Sequence, residues 1–149
     1  MAKVLEKQQI IRSLNELAQL DIDAWHAYAQ AIDQINESEI RERLRIFQED
    51  HYNHILNLSD RVSEFGSEPP EFSMDFIGYV IEGFAAIHSM SGTRGALKAM
   101  HSNEQIVNEK YAEVLKKELP TDILSLIEMN YSDEKRHLAY LEEQLKNFT

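Results

Sequence analysis

The sequence predicts an all-α protein built as a four-helix bundle, and two observations lead to this prediction. First, its 149 residues include only 5 Gly and 3 Pro, while the helix formers Leu, Ala, Glu, Gln and Lys are abundant. Second, four long stretches repeat apolar residues at alternating spacings of three and four, which is the periodicity of an amphipathic helix. The length suits one domain with a single bundle over residues 1–149.

Breaks in the periodicity set the bounds of the helices. Asn36 to Ser38, Gly66 to Pro70, Ser89 to Thr93 and Pro120 interrupt the apolar pattern, and Ser38 is suited to cap the second helix. Because the loops within each pair are short, the first two helices form one antiparallel hairpin and the last two form another. The longer connection between the hairpins can cross the bundle. The predicted helices span roughly residues 6–35, 38–65, 93–118 and 121–147, with a short extra helix near 74–88 in the crossover.

The composition argues against several classes of function. A formal net charge of −11 disfavours nucleic acid as a partner, because an acidic surface repels phosphate. The absence of Cys excludes disulfides, iron–sulfur clusters and thiolate metal sites. The N-terminus lacks a signal-peptide core, and no apolar run is long enough to span a membrane. We therefore expect a cytoplasmic protein without a membrane partner.

Each of the four apolar seams is interrupted near its middle by an acid or a histidine. An unpaired charge in a bundle core is costly, and only a good partner or a metal ion offsets its desolvation. Four interruptions at matching heights therefore indicate candidate metal ligands. They are Asp21 in the first helix, His51 and His54 in the second, Glu104 in the third, and Glu134 and His137 in the fourth.

The spacing of these residues agrees with a shared site. The same number of residues separates Asp21 from His51 and Glu104 from Glu134, so in each hairpin the two residues lie at a similar height. Glu134 and His137 are three residues apart, hence on one helix face, and can offer an oxygen and a nitrogen to one ion. A mixture of carboxylates and imidazoles suits iron, manganese or zinc.

Two tyrosines complete the pattern. Tyr28 follows Asp21 by the same interval at which Tyr111 follows Glu104. Their hydroxyls are predicted to bond to seam acids, and we regard both as candidates for a supporting role around the ligands.

These residues resemble the ferritin-like superfamily, in particular the bacterioferritins and the bundle domain of the rubrerythrins. Those bundles hold two metal ions with one Glu from each of two helices and a Glu-x-x-His from each of the other two. The second half resembles the family best, in Glu104, Tyr111 and the stretch DEKRHLAYLEEQL that contains Glu134 and His137. The chain also looks similar to short, poorly characterised bacterial ferritin-like proteins. The resemblance implies two iron ions, with manganese or zinc as alternatives.

The first half departs from the family pattern. Asp21 stands where a Glu is usual, and His51 stands where the family has a Glu that commonly bridges the two metals. A dinuclear site of altered type and a single ion held mainly by the second half both remain open. Tyr52 stands where bacterioferritins have their haem-ligating Met, so no haem is expected. Since no extra helix follows the fourth, we expect a homodimer rather than a storage cage.

Two functional hypotheses follow. In the first, the protein is a metal-dependent oxidoreductase that acts on O2 or peroxide, as a ferroxidase or peroxidase does. In the second, it is a non-enzymatic metal-binding or purely structural bundle that acts through oligomerisation or a stress-related partner. The polar core residues would then form a hydrogen-bonded network that fixes the register of the helices.

Overall fold

A computed structural model describes residues 6–72 and 92–148 of the chain. This part contains four helices, which confirm the predicted all-α four-helix bundle and agree with the predicted bounds to within a few residues. The short extra helix predicted near 74–88 lies outside the described residues. The helices are α1 (Lys7–Asp33), α2 (Ser38–Glu64), α3 (Gly92–Leu115) and α4 (Thr121–Asn147).

Contacts between the helices have the antiparallel order that the short loops predict. The ring of Tyr28 packs 6.4 Å from that of Phe47. Asp21, which is earlier on α1, contacts His54, which is later on α2. The same reversal relates α3 to α4, as the side-chain contacts between them show, and α1 also packs along α3. Residues near the middle of each helix therefore come to one level of the bundle.

The ends of α2 are set by local backbone chemistry. Its N-cap is Glu37, one residue before the predicted cap Ser38, and Glu37 places its side chain against Thr93 rather than on its own helix. At the other end, Gly66 has a φ of 81°, a left-handed conformation that costs glycine little. The amide of Ser67 then donates to the carbonyl of Val62 at 3.2 Å, which closes the helix in a Schellman-type turn.

Two apolar clusters fill the bundle. One is built around Tyr28, Leu44 and Met100, and the other around Leu14, Leu58 and Ile127. Burying each such large apolar side chain stabilises the fold by about 1.5–3 kcal/mol. On α2, α3 and α4 the predicted ligands fall in sequence between the residues of the two clusters, so a polar layer divides the apolar core.

None of the four described helices carries an apolar stretch that could cross a membrane.

Candidate metal centre

The polar layer contains all six residues that the sequence nominated as ligands. Five of their side chains have no exposed surface, and the sixth, His54, is 2% exposed. Each helix contributes at least one of them. Burial of six ionisable side chains would cost several kcal/mol per charge if they were unpaired. Their partners therefore decide what the layer can do. The six are Asp21, His51, His54, Glu104, Glu134 and His137.

Asp21 is the centre of the half formed by α1 and α2. Its Oδ1 atom lies 2.6 Å from Nδ1 of His51 and 3.1 Å from Nδ1 of His54. Its Oδ2 atom accepts a hydrogen bond of 2.6 Å from the hydroxyl of Tyr111 on α3. Both carboxylate oxygens of Asp21 are thus used as acceptors.

Glu104 occupies the corresponding place in the half formed by α3 and α4. Its Oε2 atom lies 2.7 Å from Nδ1 of His137 and accepts a hydrogen bond of 3.1 Å from the hydroxyl of Tyr28. Nδ1 of His137 is also 3.2 Å from Oε2 of Glu134, the residue three positions earlier on α4. The tyrosines therefore bond to seam acids as predicted, each in the opposite half of the bundle.

His51 and Glu134 join the two halves. Oε1 of Glu134 lies 3.0 Å from Nδ1 of His54, while Nε2 of His51 lies 3.3 Å from both Oε1 of Glu104 and Oε2 of Glu134. The result is two overlapping groups of four side chains, and within each group the candidate ligand atoms lie within 4.8 Å of one another. The groups are Asp21, His51, His54 and Glu134, and His51, Glu104, Glu134 and His137.

Two outer carboxylates orient the histidines, and neither is among the six predicted ligands. Nε2 of His137 lies 2.8 Å from Oδ2 of Asp50, and Nε2 of His54 lies 2.9 Å from Oδ2 of Asp133. In both histidines Nδ1 is left facing the interior of the layer. A carboxylate that accepts the outer N–H of a ligating imidazole is a usual support of a metal site. Asp50 directly precedes the His-x-x-His pair of α2, and Asp133 directly precedes the Glu-x-x-His pair of α4. This placement is the sequence signal that could have identified both aspartates.

Asn108 holds two of the ligand-bearing turns together. Its Nδ2 atom donates to the backbone carbonyl of Glu104 at 2.7 Å and to that of Glu134 at 3.0 Å. This side chain is buried on α3 and links the backbones of α3 and α4 at the level of the site. The two glutamates are therefore positioned by their main chains as well as by their side chains.

The histidines carry strongly shifted pKa values. Burial lowers the pKa of His51, but the charges of Glu134 and Glu104 and the contact with Asp21 outweigh it and raise the value to about 9. For His54 burial is likewise outweighed, by Asp21 and the bond to Asp133, and the pKa rises to about 12. The pKa of His137 is well above its ordinary value for the same kind of reason. Without metal, the surrounding carboxylates therefore favour the protonated form of all three imidazoles.

The pKa values of the three carboxylates shift in two different directions. Burial opposes ionisation of Glu104, but the imidazoles of His51 and His137 prevail and lower its pKa to about 2. Nearby imidazoles also hold the pKa of Asp21 below its ordinary value, against its burial. Burial raises the pKa of Glu134, and the like charges of Glu104 and Asp21 add to it. Glu134 is thus the carboxylate that is least favourably paired.

The donor set and its spacing fit a transition-metal ion. Metal bonds of about 2.0–2.2 Å put neighbouring ligand atoms about 2.8–3.6 Å apart in tetrahedral or octahedral geometry. The two contacts of 3.3 Å from Nε2 of His51 have this spacing. Neither contact has the geometry of a hydrogen bond, and Nε2 of His51 and Oε1 of Glu104 are buried without a hydrogen-bond partner among the described residues. Buried polar atoms seldom lack partners, so these two mark a place where a ligand fits.

Several solved structures share the fold of this chain. A ferritin-like, diiron-carboxylate protein from Bacillus anthracis superposes with a TM-score of 0.73 at 16% identity, covering 93% of this chain and 96% of that chain. A bacterioferritin from Desulfovibrio desulfuricans with a diiron site gives a TM-score of 0.73 at 20% identity, covering 94% and 80%. Dps from Thermosynechococcus elongatus gives a TM-score of 0.71 at 10% identity, covering 93% and 91%.

Sequence comparisons identify the family more narrowly. No curated protein matches the sequence. The model of the domain of unknown function DUF2383 matches residues 9–117, which is most of the chain and includes four of the six predicted ligands. The chain therefore belongs to the DUF2383 family, and it shares the fold of the ferritin-like diiron-carboxylate protein and the bacterioferritin.

Proposed function

We propose that this protein binds iron, or manganese, in the core of its bundle and performs oxidoreductase chemistry with O2 or peroxide. The observation that carries the proposal is the polar layer itself. Six side chains of metal-ligating type, drawn from all four helices, meet in two overlapping groups where a core would otherwise be apolar. The proposed ligands are Asp21, His51, His54, Glu104, Glu134 and His137.

The donor set supports a redox-active metal. Three carboxylates and three imidazoles suit iron, manganese or zinc, whereas calcium and magnesium prefer oxygen alone. Two of the solved structures that share the fold are described as diiron proteins, which favours iron over the alternatives. Oxidation of Fe(II) to Fe(III) by O2 or peroxide is the chemistry that bound iron would supply.

The surrounding residues are suited to hold such a centre and to limit access of water. Phe47 lies with its ring 4.3 Å from that of His137 and closes one side of the layer. The hydroxyls of Tyr28 and Tyr111 fix the orientation of Glu104 and Asp21. The outer aspartates keep a proton on Nε2 of His54 and His137, so that Nδ1 of each can face a metal ion.

A structural role without metal is the second candidate, and the balance of charge favours it. With raised histidine pKa values and the ionised acids, the layer carries positive imidazoles beside negative carboxylates. Such a network would fix the register of the helices at some cost in stability. Nε2 of His51 and Oε1 of Glu104 have no hydrogen-bond partner within residues 6–72 and 92–148, and this weighs against a structural role, because a network selected for pairing alone would satisfy both atoms.

Anaerobic titration with Fe(II), followed by exposure to air, tests the proposal. We expect tight binding at the core and rapid oxidation, followed by absorbance in the near ultraviolet, with metal present in the protein as purified. Replacing Glu134 and His137 by Gln should remove both signals. The matched control replaces His101 and Glu142, a Glu–His pair near the bundle surface, by Gln and should leave both unchanged. Equal binding by the core variant and the wild type would refute the proposal.

The other expectations from the sequence stay predictions. We propose a homodimer in the cytoplasm that uses metal ions and O2 or peroxide, with neither nucleic acid nor membrane as a partner. Light scattering of the purified chain measures the oligomeric state directly.

A further inference from the structure

The two groups of candidate ligands define two metal positions that share residues. We name them the Glu104 position and the Asp21 position. The Glu104 position consists of His51 Nε2, Glu104, Glu134 and His137 Nδ1, and the Asp21 position consists of Asp21, His54 Nδ1, Glu134 and the Nδ1 side of His51.

His51 cannot serve both positions as a neutral imidazole. A neutral imidazole has one nitrogen with a free lone pair and one that carries a proton. Nδ1 of His51 lies 2.6 Å from Oδ1 of Asp21, whereas the other two histidines of the layer have an outer aspartate at Nε2 that can hold their proton. The single proton of a neutral His51 therefore belongs on Nδ1, where the carboxylate oxygen of Asp21 accepts it. Nε2 of His51 lies on the other side, towards Glu104 and Glu134, and is buried without a hydrogen-bond partner in the described part of the chain.

The carboxylates of Asp21 and Glu104 differ in how many of their oxygens already accept hydrogen bonds, and this difference also favours the Glu104 position. Both oxygens of Asp21 already accept hydrogen bonds, Oδ1 from His51 and Oδ2 from Tyr111. Glu104 uses only Oε2, which accepts from Tyr28 and contacts His137, while its buried Oε1 is left without such a partner within residues 6–72 and 92–148. The open donor atoms therefore lie at the Glu104 position, and the Asp21 position is closed by internal hydrogen bonds.

We infer that the Glu104 position binds a divalent metal ion first and much more tightly than the Asp21 position, because His51 ligates there alone. Asp21 then acts as a positioning residue, which holds His51 through Nδ1–H while Nε2 binds the ion. The Glu104 position receives two imidazoles and two carboxylates. The Asp21 position is left with the imidazole of His54, the carboxylate of Asp21 and the carboxylate of Glu134, which also belongs to the Glu104 position. This inference rests on the proposed metal binding and states how the two positions differ in their affinity for the metal.

Titration of the metal-free protein with Co(II), whose visible absorption reports its ligands, tests the inference. In the wild type we expect two resolved phases. Loss of a residue that only orients a ligand costs about 10–100-fold in affinity, so a position that lacks a ligand outright should bind more than about 100-fold more weakly. Two ions that bind with equal affinity would overturn the inference and leave the proposed metal binding intact. Binding of no ion at all would refute both.

Two isosteric variants assign the phases. Glu104→Gln should remove the tight phase and its absorption bands. Asp21→Asn should remove the weak phase, leave the bands of the first ion in place, and cost the first ion no more than about 10–100-fold, the range for a positioning residue. Glu142→Gln, on the surface, is the matched control. The inference fails if Asp21→Asn abolishes the tight phase while Glu104→Gln retains it, and circular dichroism verifies that each variant is folded.

A third variant makes the two positions alike. In His51→Glu, a carboxylate stands where the imidazole stood, and its two oxygens can each face one position without a change of protonation. We expect two Co(II) ions per chain with affinities within about tenfold of each other, which is a difference of about 1.4 kcal/mol or less. Persistence of a large gap in this variant would show that His51 is not its cause.

Discussion

Nε2 of His137 on α4 lies 2.8 Å from a carboxylate oxygen of Asp50 on α2, and this contact crosses the bundle just outside the polar layer. Its counterpart joins His54 on α2 to Asp133 on α4 at 2.9 Å. Each helix thus supplies the carboxylate that orients the histidine of the other. These two contacts are equivalent under an approximate two-fold symmetry that exchanges the two hairpins. The ligand sets follow this symmetry only in part, because one hairpin has His51 where the other has Glu134.

Asp50→Ala should weaken metal binding about 10–100-fold, the usual effect of removing the acceptor behind a ligating imidazole. Without Asp50, His137 loses the partner that keeps its proton on Nε2 and its Nδ1 towards the layer. Isothermal titration with Mn(II) or Co(II) measures the change. Glu49→Ala removes the neighbouring exposed acid on the same helix and should alter the affinity little. An equal loss in both variants would show that only the general negative charge matters.

Tyr28→Phe and Tyr111→Phe should each lower the free energy of unfolding of the metal-free protein by about 1.5–3 kcal/mol, because each removes a hydrogen bond to a buried carboxylate. Urea denaturation followed by circular dichroism gives the difference. Tyr140→Phe, a partly buried tyrosine beside Phe47, should stay within about 0.5 kcal/mol of the wild type. If the two core variants are as stable as this control, the hydroxyls do not hold the seam acids.

The metal-free protein should be most stable between about pH 4.5 and 6.5. The pKa of His51 is raised from 6.5 to about 9, so its contribution to stability is complete below pH 6.5 and is lost as the pH rises through 9. The pKa of Glu104 is lowered from 4.5 to about 2, so its contribution is complete above pH 4.5 and is lost as the pH falls through 2.

Thermal melts in the presence of a chelator, from pH 3 to pH 10, measure this profile. With metal bound, the ion takes the place of the protons on the histidines, and stability should persist above pH 6.5. A melting temperature of the metal-free protein that rises steadily from pH 6.5 to pH 9 would contradict the pKa shifts of the histidines.

Metal ions should stabilise the fold by mass action. An ion at 100 times its dissociation constant adds about 2.7 kcal/mol to the free energy of unfolding. We expect Mn(II) to raise the melting temperature of the wild type and to leave that of Glu134→Gln unchanged, because Glu134 belongs to both positions. A purely structural network predicts no shift in either protein, so this measurement separates the two candidate functions without any assay of activity.

Helix positions and the identity of the core residues could be predicted from the sequence. The periodicity of apolar residues is a local property, and it sets which direction each side chain takes from its own helix axis. The four helices and the core positions of all six predicted ligands follow from it. The N-cap of α2 was misplaced by one residue, because Glu37 takes part in a contact with Thr93, which is distant in the sequence.

The outer carboxylates could not be recognised in this way. Adjacent residues on a helix point about 100° apart, so Asp50 and Asp133 lie off the seams and read as surface acids. Whether such a side chain reaches the neighbouring helix depends on the separation and rotation of the two helices. Neither quantity is encoded in the periodicity of one helix.

The sequence by itself determined that acids and histidines interrupt four core seams at one height, since spacing along a helix and across a short hairpin is enough to establish it. Only the tertiary structure decided how they pair. It turned one nitrogen of His51 to Asp21 and the other towards Glu104 and Glu134, where, among the described residues, this nitrogen and Oε1 of Glu104 have no hydrogen-bond partner. The physical reason is that hydrogen bonds and metal sites depend on distances of a few tenths of an ångström between atoms on different helices, which packing sets and periodicity does not.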